Sequence, residues 1–275
     1  MSDPSHLERM AAFMPAAWRR RVAACGGRVH DADGLAVCLT GVPLAPFNPT
    51  LIERLPFDPD GAVRQAEAHY DGTGLSLGID LEPSLHEPLR DAAHRAGLTM
   101  VESRPGMSVA LADVSSMPPP PGVEVFRVED PALLDEVVEV DAAAFGGDAA
   151  TTRLFLPDAV LEDPAQRVYA ARVDGQLVSV GESTTLDGVI GVFGVATVPA
   201  YRRRGVGAAV TALLITDRAG EADLAVLDAS DLGFGVYERL GFRTTSTWEV
   251  WSARNRRPSR LLRRRSRARP AARLM

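Results

Sequence analysis

Three consecutive arginines, Arg202, Arg203 and Arg204, run directly into Gly205, Val206, Gly207 and Ala208. The Arg-x-x-Gly-x-Gly spacing puts two residues without side chains where a strand pattern (residues 189–198) gives way to a helix pattern (residues 203–218). The first N–H groups of a helix have no carbonyl partner and the helix dipole is positive there, so such an entry can receive a phosphate. Arginines beside it add charge. The strand ahead of it, through Val195, Ala196, Thr197 and Val198, could offer N–H and C=O groups to an amide-bearing ligand arm. Other phosphate loops are excluded by spacing: no Gly-Lys-Ser/Thr follows, and a dinucleotide fingerprint would need another glycine near Thr211. Taken alone, the segment also fits an ordinary strand–helix turn with a solvated arginine face.

A second chemical segment follows about thirty residues on. It begins at Leu227, Asp228, Ala229 and Ser230, and ends in Val236, Tyr237, Glu238, Arg239, Leu240, Gly241 and Phe242. A tyrosine hydroxyl on this helix can protonate a departing thiolate; the bland alternative is a packing aromatic. The Val-Tyr-Glu-Arg-Leu-Gly-Phe ending behind an Arg-x-x-Gly-x-Gly turn resembles the GNAT N-acetyltransferases, over roughly residues 123–251. That resemblance implies acetyl-CoA (coenzyme A) as cofactor. It implies strand backbone at Ala196, Thr197 and Val198 against the pantetheine arm, and residues 202–208 around the pyrophosphate. It also implies Ser230 near the cofactor, where many members have Asn, and Tyr237 as general acid. Backbone N–H groups around residues 195–197 could stabilise charge on the acetyl carbonyl. Where some members carry a glutamate base, this chain has Ala225. Glu182, Asp228, Asp141 and a water chain therefore remain as alternatives, with Glu182 placed among the catalytic residues beside Tyr237 and Ser230.

The elements that must hold these residues read as a mixed α/β sheet. After residues 115–121, which include four successive prolines that neither helix nor ladder can absorb, comes a strand at 123–128 and a helix at 131–145. Strands at 168–173, 177–184 and 189–198 follow, turning at Asp174-Gly175 and Asp187-Gly188. Then come the helix at 203–218, a strand at 223–228, a helix at 232–240 and a strand at 242–252. The first part shows helix 15–25, strands 27–30 and 35–40, helix 60–70, strand 75–81, helix 83–96, and strands 98–102 and 107–112. Its order mirrors the second part without either motif. The expected fold is thus a tandem GNAT-like α/β arrangement: a degenerate N-terminal domain (1–114), a linker (115–122), a complete catalytic domain (123–252) and a tail (253–275).

Composition bounds the rest. The 46% hydrophobic and 24% charged fractions are those of a globular chain. All 30 basic residues are arginine, and ten of them follow Trp251, where no acid occurs. A body of net charge −16 therefore carries a +10 tail, which fits a solvated segment or contact with an anionic partner. No aromatic interleaves that tail, which argues against base reading and against nucleic acid as the main partner. Cys25 and Cys38 make no metal-ligand spacing, the histidines are irregularly placed, and no metal is expected. No apolar stretch approaches the ~20 residues of a membrane span, and the polar first ten residues do not resemble a secretory signal, so a cytoplasmic protein is expected. The partner expected is a small-molecule or peptide amine, with homodimerisation left open. Two functions stay in view: acetyl-CoA-dependent acetylation of a primary amine by direct attack, and a non-catalytic CoA- or partner-binding module.

Overall fold

The computed structural model describes residues 5–253; the arginine-rich tail lies outside them apart from Ala253. The first helix, α1 (His6–Ala24), starts nine residues before the expected 15–25. Its start is a capping box: Ser5 Oγ accepts from the Glu8 N–H at 3.2 Å, and the Ser5 N–H donates to Glu8 Oε2 at 2.7 Å. Pro15 therefore sits inside the helix instead of opening it. The lost hydrogen bond is offset by burial of Met10, Phe13 and Ala17 against Val189, Leu224, Val226 and Trp248.

Next come β1 (Arg28–Ala32), β2 (Leu35–Leu39), β3 (Thr50–Ile52), α2 (Pro59–Ala68), β4 (Gly78–Leu81) and α3 (Glu87–Arg95). The short β3 carries no alternation long enough to read from sequence. It is followed in the first part by β5 (Thr99–Ala110), a single twelve-residue strand where two were expected. Pro105 cannot donate to a ladder, yet its carbonyl accepts from the Ala229 N–H at 2.9 Å, and the strand continues through it. The register shifts elsewhere, once in the partner strand between Thr244 and Ser246 and once where Val250 and Trp251 pair with Glu102 and Met100, skipping Val101.

The second part follows the expected order: β6 (Val123–Val128), α4 (Leu134–Phe145), β7 (Gln166–Val173), β8 (Gln176–Leu186), β9 (Val189–Thr197), α7 (Val206–Thr216), β10 (Leu224–Asp228), α8 (Phe234–Arg239) and β11 (Arg243–Ser252). Two further short helices, α5 (Ala149–Phe155) and α6 (Ala159–Glu162), fill the segment between α4 and β7. The helix at α7 begins three residues later than expected, because Arg203 and Gly205 both take positive φ.

All eleven strands form one sheet in the order β1-β2-β3-β4-β11-β5-β10-β9-β8-β7-β6. The two parts of the chain interleave within it. The last strand, β11, lies between β4 and β5, while β5 lies between β11 and β10. The sheet thus runs unbroken across the proline segment. One face packs on α7 and α8 through a core that includes Val206, Val210, Leu214, Ile190, Leu227 and Phe242. On the other face, α4 covers Val168, Ala170, Val180 and Ala196, and α1 covers β9, β10 and Trp248. No helix among the described residues is long and apolar enough to cross a membrane.

Gly106 is where the interleaving is tightest. A Cβ there would lie 2.2 Å from Ser246 Oγ and 2.7 Å from the Trp248 ring. Gly106→Ala should therefore lower unfolding free energy by about 1–3 kcal/mol, the usual cost of overpacking, measurable in urea melts.

Candidate active site

The site starts from a bulge. Strands β8 and β9 pair Glu182 with Phe193 and then Val180 with Ala196, so Gly194 and Val195 together face the single residue Gly181. Gly194 has φ +57°, a conformation a side chain resists. A bulge bends its strand, and the consequence is visible on the other edge of β9. The parallel ladder to β10 covers only Val189, Ile190 and Gly191 against Leu224, Ala225 and Val226. Beyond these residues β9 runs on to Thr197, while Leu227 and Asp228 keep only the β5 pairing that all of β10 makes on its other edge. The β9 backbone at Val195, Ala196 and Thr197 thus borders a gap in the middle of the sheet. Among the described residues, no strand pairs it on that side.

At the end of β9 a 3-10 turn (Pro199–Tyr201) leads through the arginines to Gly205, the α7 N-cap, at φ +81° with no side chain capping it. The N–H groups of Val206, Gly207 and Ala208 are left without helical partners. Gly205, Gly207 and Ala208 of this entry line a cavity of about 400 Å³, together with Arg203, Leu232, Gly235, Val236 and Arg239. The three adjacent arginines have separate tasks. Arg203 lines the cavity. Arg202 donates from Nε to the Thr197 carbonyl at 2.9 Å and from Nη2 to the Ala144 carbonyl at 2.7 Å, tying the end of β9 to α4. Arg204 lies 5.1 Å over the Tyr201 ring. The cavity's second cation, Arg239, escaped sequence reasoning. Its only signal was its place one helical turn after Gly235, on the face of α8 turned to the glycine entry.

Tyr237 is buried on α8, edge-on to Phe242 at 5.9 Å. Burial pushes its pKa to about 12, so its hydroxyl keeps its proton across the physiological range. Among the described residues, no hydrogen bond engages that hydroxyl. Ser230 lies beside it at the head of the same turn, where its Oγ accepts from the Gly233 N–H at 3.2 Å.

The three candidate carboxylates differ sharply. Glu182 lies on the α1–α4 face of the sheet, and its Oε1 is 3.2 Å from where a Cβ on Gly194 would sit. Its other oxygen is ion-paired with Arg21 of α1. Asp141, on α4, is largely withdrawn from water. Burial first, and the nearby Glu182 charge second, raise its pKa to about 7. Among the described residues, no protein group hydrogen-bonds its carboxyl. Asp228, at the end of β10, is pushed to about 6 mainly by burial, with Arg104 opposing. Arg104 is 2.7 Å from Asp80 and 3.6 Å from Asp228. The structure therefore brings Glu182 and Asp141 together at the bulge, sets Asp228 apart in a charge cluster with β4 and β5, and buries Ala225 in the β9–β10 ladder. Among the described residues, no group of three or more His, Cys, Asp or Glu side chains is arranged to hold a metal ion.

Residues 134–242 match the sequence model of the acetyltransferase (GNAT) family. Among solved structures, a GCN5-related N-acetyltransferase from Kribbella flavida is 26% identical, with a TM-score of 0.69 over 89% of this chain and 96% of that one. A tandem GNAT protein from the clavulanic acid biosynthesis pathway shares the fold at 15% identity, with a TM-score of 0.58 over 80% of this chain and 78% of that one. A functionally unknown conserved protein from Staphylococcus epidermidis does so at 14% identity and TM-score 0.60, over 82% of this chain and 92% of that one. No curated protein sequence matches the chain.

The Asp141 shift has a consequence for stability. Its folded pKa lies above the unfolded value, so the folded state binds the extra proton and loses stability as pH rises from about 4 to about 7. Asp141→Asn removes that cost. The variant should be more stable than the parent by about 1–3 kcal/mol at pH 8, with the gap closing towards pH 4 in urea melts.

Proposed function

We propose that this chain, a member of the GNAT acetyltransferase family through its C-terminal half, transfers an acetyl group from acetyl-CoA to an amine acceptor. The observation that carries the reading is the juxtaposition of an uncapped helix entry, a bulged strand with a free edge and a proton-bearing tyrosine around one gap in the sheet. The donor set suits the cofactor. The free N–H groups at Val206, Gly207 and Ala208, with Arg203 and Arg239, would hold its phosphates. The β9 backbone at Val195, Ala196, Thr197 and Val198 would hold its amide-bearing arm. When bound, acetyl-CoA supplies an acyl group activated as a thioester.

The chain's own residues divide the remaining work. The β9 backbone orients the acyl group and offers N–H dipoles where negative charge grows on its oxygen. Holding an amine in the gap beside it lowers the barrier by proximity. Tyr237, unengaged and protonated, delivers a proton to the leaving sulfur. On the opposite face, Asp141 takes the proton of the amine, because its pKa near neutrality lets it be ionised at the working pH. Glu182, already paired with Arg21, acts through its charge on Asp141. Ser230 shapes the turn before Tyr237.

The test is release of free thiol from acetyl-CoA across a panel of primary amines and peptide N-termini. Turnover is expected with at least one acceptor class; tight CoA binding with no acceptor-dependent thiol release would overturn the enzymatic reading in favour of a binding module. Tyr237→Phe should lower kcat about 100-fold, at the low end of general-acid effects, with CoA affinity by calorimetry within a few-fold of the parent. Arg239→Ala should instead weaken CoA binding about 10-fold and leave kcat at saturation nearly unchanged.

A further inference from the structure

Arg21 belongs to α1, in the part of the chain before the proline segment, yet every nitrogen of its guanidinium is spent in the catalytic half. Nε donates to Gln166 Oε1 at 3.0 Å, Nη1 donates to the Phe155 carbonyl at 3.2 Å, and Nη2 pairs with Glu182 Oε2. The guanidinium plane lies 4.7 Å over the Phe155 ring, and the residue is 7% exposed. Gln166 is itself held, through Nε2, by Asp163, which also pairs with Arg20 of α1. A buried arginine held at this many points is a fixed cation. Its carboxylate partner is the residue that borders the Gly194 bulge.

We propose that Arg21 is a positioning residue of the transfer site, through which the N-terminal half fixes the Glu182 carboxylate beside the bulge. The inference rests on the acetyl-transfer reading for its purpose, but its geometry stands apart from that reading. The charged and titratable groups around Glu182 come from two elements. α1 and its cap supply Arg21 and Cys25, and α4 supplies Asp141. Cys25 stays a neutral thiol, since burial lifts it to about 11. Arg21 therefore fixes Glu182 through the ion pair, and the nearby Glu182 charge is the second cause, after burial, that raises Asp141 to about 7. With the cation gone, Glu182 would lose its fixed place at the bulge, and Asp141, relieved of that nearby charge, would ionise at lower pH.

The experiment follows the carboxyl carbons of Asp141 and Glu182 by 13C NMR through a pH titration, alongside the pH profile of kcat/KM. In the parent chain Asp141 is expected to titrate near 7 and to coincide with the acid limb of the profile. In Arg21→Met and Arg21→Gln its titration should fall by one pH unit or more. Glu182→Gln should lower Asp141 alike, and the double variant R21M/E182Q should match E182Q alone, because Arg21 acts only through Glu182. Arg21→Lys keeps the charge and should restore the parent titration. Where the methionine and glutamine variants fail to fold, the double variant, which removes both buried charges, and the lysine variant carry the test. An Asp141 titration unmoved in R21M, or shifted as far in R21K as in R21M, would overturn the proposal and leave Arg21 as an interdomain strut. The NMR readout needs no turnover, so a chain that acetylates none of the amines would sink the functional reading without touching this one.

Discussion

Strand β5 hydrogen-bonds to β10 along one edge and to β11 along the other, and the rest of the molecule is arranged around that double pairing. Because β5 comes from the first part of the chain and β10 and β11 from the second, neither part can complete its sheet alone. The pairing brings α1 over β9, β10 and Trp248, where its apolar face is buried. The gap beside β9 opens where β9 bends at the Gly194 bulge, while β10 keeps its β5 pairing on the other edge.

Helix α1 fastens this arrangement along its length. His6 contacts Ser108 of β5 at 3.0 Å, and Arg9 reaches Asp223 and the Gly188 carbonyl. Met10, Phe13 and Ala17 seal the sheet, while Arg19 pairs with Glu53 in the first part. Arg21, near its end, enters the candidate site. Isolated surface ion pairs of this kind contribute little each. The apolar contacts hold the helix, and the buried arginine pairs with Glu182.

The two faces of the gap are chemically unlike. On the α7–α8 face lie free N–H groups, two arginines and a tyrosine whose pKa burial raises, a setting suited to anionic and leaving groups. On the α1–α4 face lie Glu182 and an aspartic acid poised near neutrality, suited to a group that must lose a proton. Tyrosine and aspartate are shifted in the same direction by the same cause, burial. The outcomes differ because their unperturbed values do: one is moved further from neutrality and the other into it.

Local order was readable from the chain. The glycine turn, the Tyr237 segment and most strands and helices of the second part follow from hydrophobic periodicity, turn residues and proline placement, which act over a few residues. Val195 to Thr197, Gly205 and Tyr237 sit where their local patterns put them. Three things were not readable, each because it joins residues far apart in sequence. Pro105-Gly106 looks like a strand break but is continued by partners on β10 and β11. Three arginines of like appearance are assigned different tasks by carbonyls and rings that only folding brings near. Asp141 becomes the carboxyl poised at neutrality because α4 buries it beside a Glu182 whose counter-charge arrives from residue 21. Sequence determined the elements and the glycine turn that leaves the entry of α7 uncapped. Tertiary structure decided which carboxylate is paired, which is free and where the sheet opens, since desolvation and Coulomb interaction depend on distance in space and not along the chain.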